Sequence, residues 1–394
     1  MRCIEADTIY TGKEVVNNAF LVLDQRTLVG ISREPRGERL KRCRVITPAF
    51  IDPHSHIGMV RAGEPHSESE ANDKHDSMLV LADALDSLQM DDCALQEAVE
   101  CGVLYSCIMP GSGNIMGGKS AVIRNYALDS SRSLIARAGI KAALGYNPMS
   151  TTSWQGTRPT TRMGALAVLR RKLDQVEGKK KQYEQSSPDK QKEIVFSLEE
   201  EVLLELLKGR IRLRVHVHKI DDIAALLRLV DEYRLLVSVE HAMGVDKLHI
   251  FEELRKRNIP VVYGPVDGFP YKVELKHENW RNIKHLLDSG VEFGLMSDHP
   301  VTPARQLLLQ TRWLIRCGLS RQQAVEVLTR SNARILGLEE TLGTLEQGKW
   351  ASFVCWNSDP FDLTGYPVAV YGEGDLLYQA SEHDDRHSRA GDET

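Results

Sequence analysis

The chain has 394 residues with 50 Lys and Arg against 55 Asp and Glu, a formal charge of −5. Both signs are mixed along the sequence, which leaves no electrostatic footprint for nucleic acid or an anionic membrane and makes a small-molecule substrate the default partner. No run approaches the ~18 apolar residues of a spanning helix, the start MRCIEAD lacks an apolar signal core, and seven scattered cysteines without a CxxC pair disfavour a disulfide framework; a cytoplasmic protein is expected.

Residues 4–46 alternate in short β-like runs (FLVLD, TLVGIS, RVIT) and read as the first part of a β module over 1–47. From 48 to 338 apolar strands alternate with helices, the βα pattern of a parallel barrel. Candidate strands end near His56, Met109, Tyr126, Tyr146, His216, His241, Tyr263 and Asp298; the third, over 121–126, is weak. Eight fit a TIM-like (β/α)8 barrel. The segment IDDIAALLRLVDEY sets Ile223, Leu226, Leu227 and Val230 on one helical stripe, and 246–257, 279–289 and 320–336 read similarly. The charged stretch 173–198 predicts a solvated helical extension broken near Pro188. Residues 339–380 return to β runs (WASFVCW, VAVYG, LLYQ), so a small discontinuous β-sandwich made from both termini is expected, followed by a disordered polar tail over 381–394.

The chemistry concentrates at strand ends. In FIDPHSH, His54 and His56 stand two apart on a strand, so both imidazoles project from one face at the catalytic end of a barrel. A second pair, His216 and His218 in RVHVH, repeats the spacing, His216 as the preferred ligand and His218 as a substrate contact or alternate ligand. His241 closes SVEH, with Glu240 expected to face outward toward the helices, and Asp298 closes GLMSD, with His299 pointing away. Nitrogens of His54, His56, His216 and His241 with an oxygen of Asp298 suit Zn²⁺, Fe²⁺ or Mn²⁺ being also acceptable. Asp298 and His241 are the catalytic candidates, Asp298 taking a proton from water and returning it to a leaving amine.

Weaker candidates follow from placement. The loop PGSGNIMGGK could hold a substrate anion through its backbone N–H groups, Asn114 and Lys119. Tyr146 and Arg162 follow the fourth strand, where Arg162 could clamp an anionic group. His66 and His75 lie in a polar loop after the first strand, and Tyr263, Asp267 and Tyr271 follow the seventh.

At TPAFIDPHSHIG (47–58), RVHVHKIDDI (214–223), VEHAMG (239–244), SDHPVTPARQL (297–307) and SNARILGLEETLGTLEQGKWASFVCW (331–356), the chain resembles the amidohydrolase superfamily, more narrowly its imidazolonepropionase-related and dihydroorotase-like members. The resemblance spans about 4–378. It implies a distorted (β/α)8 barrel whose chain returns into a terminal β-sandwich, with His54, His56, His216, His241 and Asp298 as metal ligands. Binuclear members bridge two ions with a carboxylated lysine or a glutamate of the fourth strand. Here Tyr146 stands where a glutamate is expected, and Lys141, five residues earlier, should lie deep in the strand on its other face; one ion is therefore expected. The implied activity is attack of metal-activated water on a non-peptide C–N bond of a small molecule, such as a cyclic amide or imide, an acyl amide or a heterocyclic amine. The competing readings are an isopeptide- or dipeptide-cleaving metallopeptidase and a catalytically silent scaffold. A homodimer or higher homo-oligomer is the default assembly.

Overall fold

The computed structural model describes residues 1–149, 158–270 and 272–381, with His66 described by its backbone alone. The tail expected to be disordered lies outside the described residues from 382 onward. Fifteen strands are formed: β1 (Arg2–Tyr10), β2 (Val15–Asp24), β3 (Thr27–Ser32), β4 (Glu38–Pro48), β5 (Phe50–Ser55), β6 (Val103–Ile108), β7 (Met116–Arg124), β8 (Leu134–Ala143), β9 (Leu213–Val217), β10 (Val237–His241), β11 (Val261–Tyr263), β12 (Phe293–Leu295), β13 (Phe353–Trp356), β14 (Pro367–Gly372) and β15 (Asp375–Gln379).

Both termini build one seven-stranded sheet, ordered β15-β14-β13-β4-β1-β2-β3. It curls so that Thr27 bridges Trp350, enclosing Ile4, Leu21, Leu23, Ile46, Phe353 and Tyr371. Buried Glu373 fastens it to the barrel: its carboxylate takes Arg26 of the terminal sheet together with Arg124 and the Tyr126 hydroxyl (3.0 Å) of the barrel.

The second sheet runs β12-β11-β10-β9-β8-β7-β6-β5, the expected α/β barrel. One strand departs from the parallel scheme. The weak third strand begins at Met116, and β7 is antiparallel to both β6 and β8. Residues 109–115 leave only seven residues between β6 and β7, whereas a parallel crossover needs about a dozen or more.

Among the described residues β5 and β12 share no ladder, and side chains close the seam. The Asn332 amide donates to the Ile51 (2.7 Å) and Leu295 (3.0 Å) carbonyls and accepts the Leu295 N–H (3.2 Å). Buried Asp52 accepts the backbone N–H (3.1 Å) and hydroxyl of Ser297. Beyond the strands, the Asp298 N–H reaches the His54 carbonyl (3.1 Å) and the His56 N–H that of His299 (3.0 Å). The helix expected over 320–336 is continuous but contains a π turn, Val327–Ser331, immediately before Asn332.

Helix Ile220–Tyr233 forms as its stripe predicts, burying Ile223, Leu226 and Leu227. The charged extension becomes helix Arg162–Gln185, a short turn at Pro188–Gln191 and helix Leu198–Leu207; Lys172 and Lys179 bond Glu199 and Glu200 across the pair (2.6 Å each). No helix among the described residues is long and apolar enough to cross a membrane.

Candidate metal centre

Three strand ends and the turn after a fourth bring five imidazoles and a carboxylate together. His54 and His56 leave the end of β5, where a register shift between Asp52 and Ser55 marks a bulge. His216 and His218 leave β9, His241 ends β10 and Asp298 follows β12. His241 and Asp298 hold φ of 80° and 52°, a left-handed backbone that non-glycine residues seldom adopt and that collects at functional sites. Ring centroids lie 4.3 Å apart for His216 and His241, 4.7 Å for His216 and His218, and 4.9 Å for His54 and His241. The Asp298 Oδ1 sits 3.4 Å from the Nε2 of both His54 and His56.

Four of the five rings are held by one nitrogen. His54 Nδ1–H donates to Glu240 (2.9 Å), His56 Nδ1–H to the Met109 carbonyl (2.7 Å) and His241 Nδ1–H to the Gly264 carbonyl (3.0 Å). His216 contacts the Glu274 carboxylate through Nε2 (3.0 Å) and the Asn147 amide at the same nitrogen (3.1 Å). What remains is a set of buried nitrogens without hydrogen-bond partners: Nδ1 of His216, Nδ1 of His218 and Nε2 of His241. Two groups have the spacing of a cation's ligands, His216 with His218 and His241, and His54 with His241 and Asp298. Orphaned lone pairs of neutral imidazoles beside a carboxylate suit a divalent transition metal, so the residues fit the ion the sequence implies.

Two expectations are corrected here. Lys141 does not turn away: fully buried on β8, its Nζ donates to His54 Nε2 (3.2 Å) and lies 3.6 Å from Met109 Sδ. The strand ends at Ala143 and Gly145 has φ of 85°, so Tyr146 belongs to a turn and is no guide to strand alternation. Glu240 does not face the helices. It points into the barrel, bonded to His54 on β5, to Ser238 (2.6 Å) and to Arg214 Nε (3.0 Å) and Nη2 (3.1 Å). The left-handed turn at His241 lets consecutive residues both point inward.

The weaker candidates mostly leave the centre. Asn114 spends its amide on the Asp73 (3.0 Å) and Asp76 (2.6 Å) carbonyls. Several of the loop's N–H groups are also committed, Gly111 to Ala71, Gly113 to Asn72 and Ile115 to Ser77. Lys119 lies within β7 opposite Ile140. Tyr146 is 41% exposed and gives its backbone N–H to Glu274 (3.2 Å). Arg162 is engaged by Asp222 (2.7 and 3.3 Å). Asp267 accepts from Arg312 and Trp313, Tyr263 is buried, and Tyr271 lies outside the described residues. His299 accepts the Ala304 N–H at Nδ1 (3.3 Å), a structural role. His218 stays, lining with Asp298, Phe269, Lys272, Leu275 and Glu278 a cavity of about 20 Å³, room for about one water.

Burial, then neighbouring positive charge, lowers the imidazole pKa values: His54 and His218 to about 4, His216 and His241 well below the ordinary value. A histidine neutral in the fold and protonated when unfolded contributes fully above pH 6.5 and loses that contribution as pH falls toward its folded pKa. Each of His54 and His218 then loses about 3 kcal/mol between pH 6.5 and 4, at about 1.4 kcal/mol per pH unit. Asp52 and Glu278 run the other way, both raised by burial to about 7, but these two carboxyls oppose the four imidazoles and His299, which burial likewise lowers to about 4. The metal-free protein should therefore show a falling Tm from pH 6.5 to 4 in calorimetry; a flat Tm would mean that the rings are not held neutral.

The sequence profile described as "Amidohydrolase family" matches residues 181–376, which carry His216, His218, His241 and Asp298. Amidohydrolase tasK of Hapsidospora irregularis is 26% identical over 356 residues, 84% of this chain and 36% of that protein. An imidazolonepropionase of Acinetobacter baumannii is 36% identical over 88 residues, 21% of each chain. The chain thus matches about a third of the length of the first of these relatives and about a fifth of the second. Among solved structures, an amidohydrolase from Thermotoga maritima MSB8 superposes with TM-score 0.88 at 29% identity, covering 96% of this chain and 100% of that one. A prolidase complexed with N-methylphosphonate-L-proline shares the fold at TM-score 0.63 and 14% identity over 96% and 100%. With its barrel, its curled terminal sheet and these relatives, the chain belongs to the amidohydrolase superfamily.

Proposed function

We propose that the chain is a metal-dependent hydrolase that cleaves a non-peptide C–N bond of a small molecule, a cyclic amide or imide, an acyl amide or a heterocyclic amine. The observation that carries this reading is the pair of unpartnered nitrogens, His216 Nδ1 and His241 Nε2, whose opposite nitrogens are tied down. His54, His56 and Asp298 would hold one ion and His216 and His241 a second, with Zn²⁺ best suited to the donor set. Lys141 would join the two as a carbamate, its neutral amine adding CO₂ with loss of one proton, which replaces the expectation of a single ion. When bound, the metal supplies Lewis-acid polarisation of the scissile carbon and a nucleophilic hydroxide at neutral pH.

The chain's own residues do the rest. Burial works against ionisation of Asp298, but His241, His56 and His54 outweigh it and hold its pKa well below the carboxylate range. Asp298 is thereby ionised, and as a carboxylate beside the centre it would accept the proton of the attacking water and pass it to the leaving nitrogen. His218 forms the wall on the substrate side, and Lys272 adds a cation there.

Purified protein should contain transition metal by mass spectrometry. Activity in a screen of cyclic amides, acyl amino acids and heterocyclic amines should vanish on chelation and return with Zn²⁺. A metal-free preparation that takes up no ion and behaves like its His54→Ala variant would refute the reading.

A further inference from the structure

Glu274 was invisible to motif reading, because it belongs to no pattern and comes from the loop between β11 and β12. It sits on a short 3-10 turn, Val273–Leu275, and is 1% exposed. Its Oε1 is 3.0 Å from His216 Nε2 and 3.8 Å from His218 Nε2, and its Oε2 accepts the Tyr146 N–H. With the Glu274 carboxylate as acceptor, His216 carries its proton on Nε2 and leaves its partnerless Nδ1 lone pair for the centre, whereas an Asn147 amide donating to that same Nε2 would set the other tautomer. The same segment supplies Lys272, Leu275 and Glu278 to the wall of the small cavity beside His218 and Asp298, the side from which a substrate would approach. Its backbone is seated against the turns that follow β9 and β10: a Cβ placed on Gly244 would come 2.9 Å from the His218 carbonyl oxygen and 3.0 Å from that of Glu274.

We propose that Glu274 is a positioning residue that couples the metal centre to the substrate wall, fixing the His216 ring with its carboxylate while its own segment builds the wall, so that filling either site orders the other. This rests on the metal-centre reading above. An ion at His216 Nδ1 strengthens the Nε2–H donor and hence the grip on Glu274. Linkage is reciprocal, so a ligand that orders the wall must tighten metal binding by the same factor.

The test uses the full chain, stripped of metal and titrated with ZnCl₂. In the wild type, Zn²⁺ should slow amide hydrogen exchange across 272–279, and ¹⁵N NMR of the metal-free protein should find His216 protonated at Nε2. In Glu274→Leu, Zn²⁺ affinity measured against a competing chelator should fall about 10- to 100-fold, the range for loss of an outer-shell partner, and the zinc-dependent slowing of 272–279 should disappear while exchange in β9 and β10 is unchanged. Glu274→Gln, which keeps an accepting oxygen, should restore part of both. His216 protonated at Nδ1, the form a donating Asn147 amide would favour, overturns the proposal in the wild type alone. So does zinc uptake without slowing of 272–279, whether or not the leucine variant folds, and so does wild-type affinity in Glu274→Leu. Failure to bind zinc at all would overturn the metal-centre reading and this proposal with it; uptake without loop protection overturns this proposal alone.

Discussion

Replacing Lys141 by Ala is expected to lower kcat/KM by more than about 100-fold, beyond the 10- to 100-fold typical of an outer-shell partner, and to reduce bound metal from two ions per chain to one or none. The amine lies fully buried against His54 Nε2, and burial lowers its pKa to about 8, so a neutral, nucleophilic fraction exists near physiological pH. Acetate or propionate added to Lys141→Ala should recover part of the activity by placing a carboxylate in the vacated volume, and the wild type given ¹³C-bicarbonate should show a carbamate carbon resonance lost in the variant. Retention of full activity and two ions in Lys141→Ala would rule out a bridging role.

Replacing Glu240 by Ala should destabilise the metal-free protein by ~3–5 kcal/mol in urea unfolding, the cost of stranding one charge of a buried pair. Arg214 and Glu240 are both buried, at 1% and 0% exposure, with Arg214 donating also to the Pro53 carbonyl (2.7 Å). Burial favours the neutral carboxyl, yet Arg214 and His54 hold the Glu240 pKa well below the carboxylate range. Removing the carboxylate leaves a guanidinium and the His54 Nδ1–H without their acceptor. Replacing both partners, Glu240→Leu with Arg214→Met, should cost less than Glu240→Ala alone, since no charge is then left unpaired. A loss below about 1 kcal/mol in Glu240→Ala would show that water or another group takes over the pairing.

Much of this architecture was legible, and each exception has a physical cause. His54 with His56, and His216 with His218, obey strand alternation, and the strand endings placed His241 and Asp298 beside them. Alternation fails where the backbone turns left-handed. At His241 it hid the inward course of Glu240, and the turn at Gly145 made Tyr146 a false reference for Lys141. The antiparallel β7 was in principle readable, because residues 109–115 are too few for a crossover once Met116 is recognised as the strand's start. Glu274 and Arg214 carried no local signal, since their partners are far apart in sequence. The glycine-rich loop misled for a simpler reason: its N–H groups are free in any sequence reading, but the 71–77 segment folds over and takes several of them.

The seam between β5 and β12 bears on how the centre is dimensioned. Wherever a ladder runs, neighbouring strands stand about 4.8 Å apart whatever their side chains. Between the strand that leads to His54 and His56 and the one that leads to Asp298 no ladder runs, and the gap is spanned by the Asn332 amide and the Asp52–Ser297 contact together with two backbone bonds, Asp298 N–H to His54 and His56 N–H to His299. Part of the spacing at the candidate centre is thus set from a helix outside the barrel, by a residue that belongs to neither group of candidate ligands.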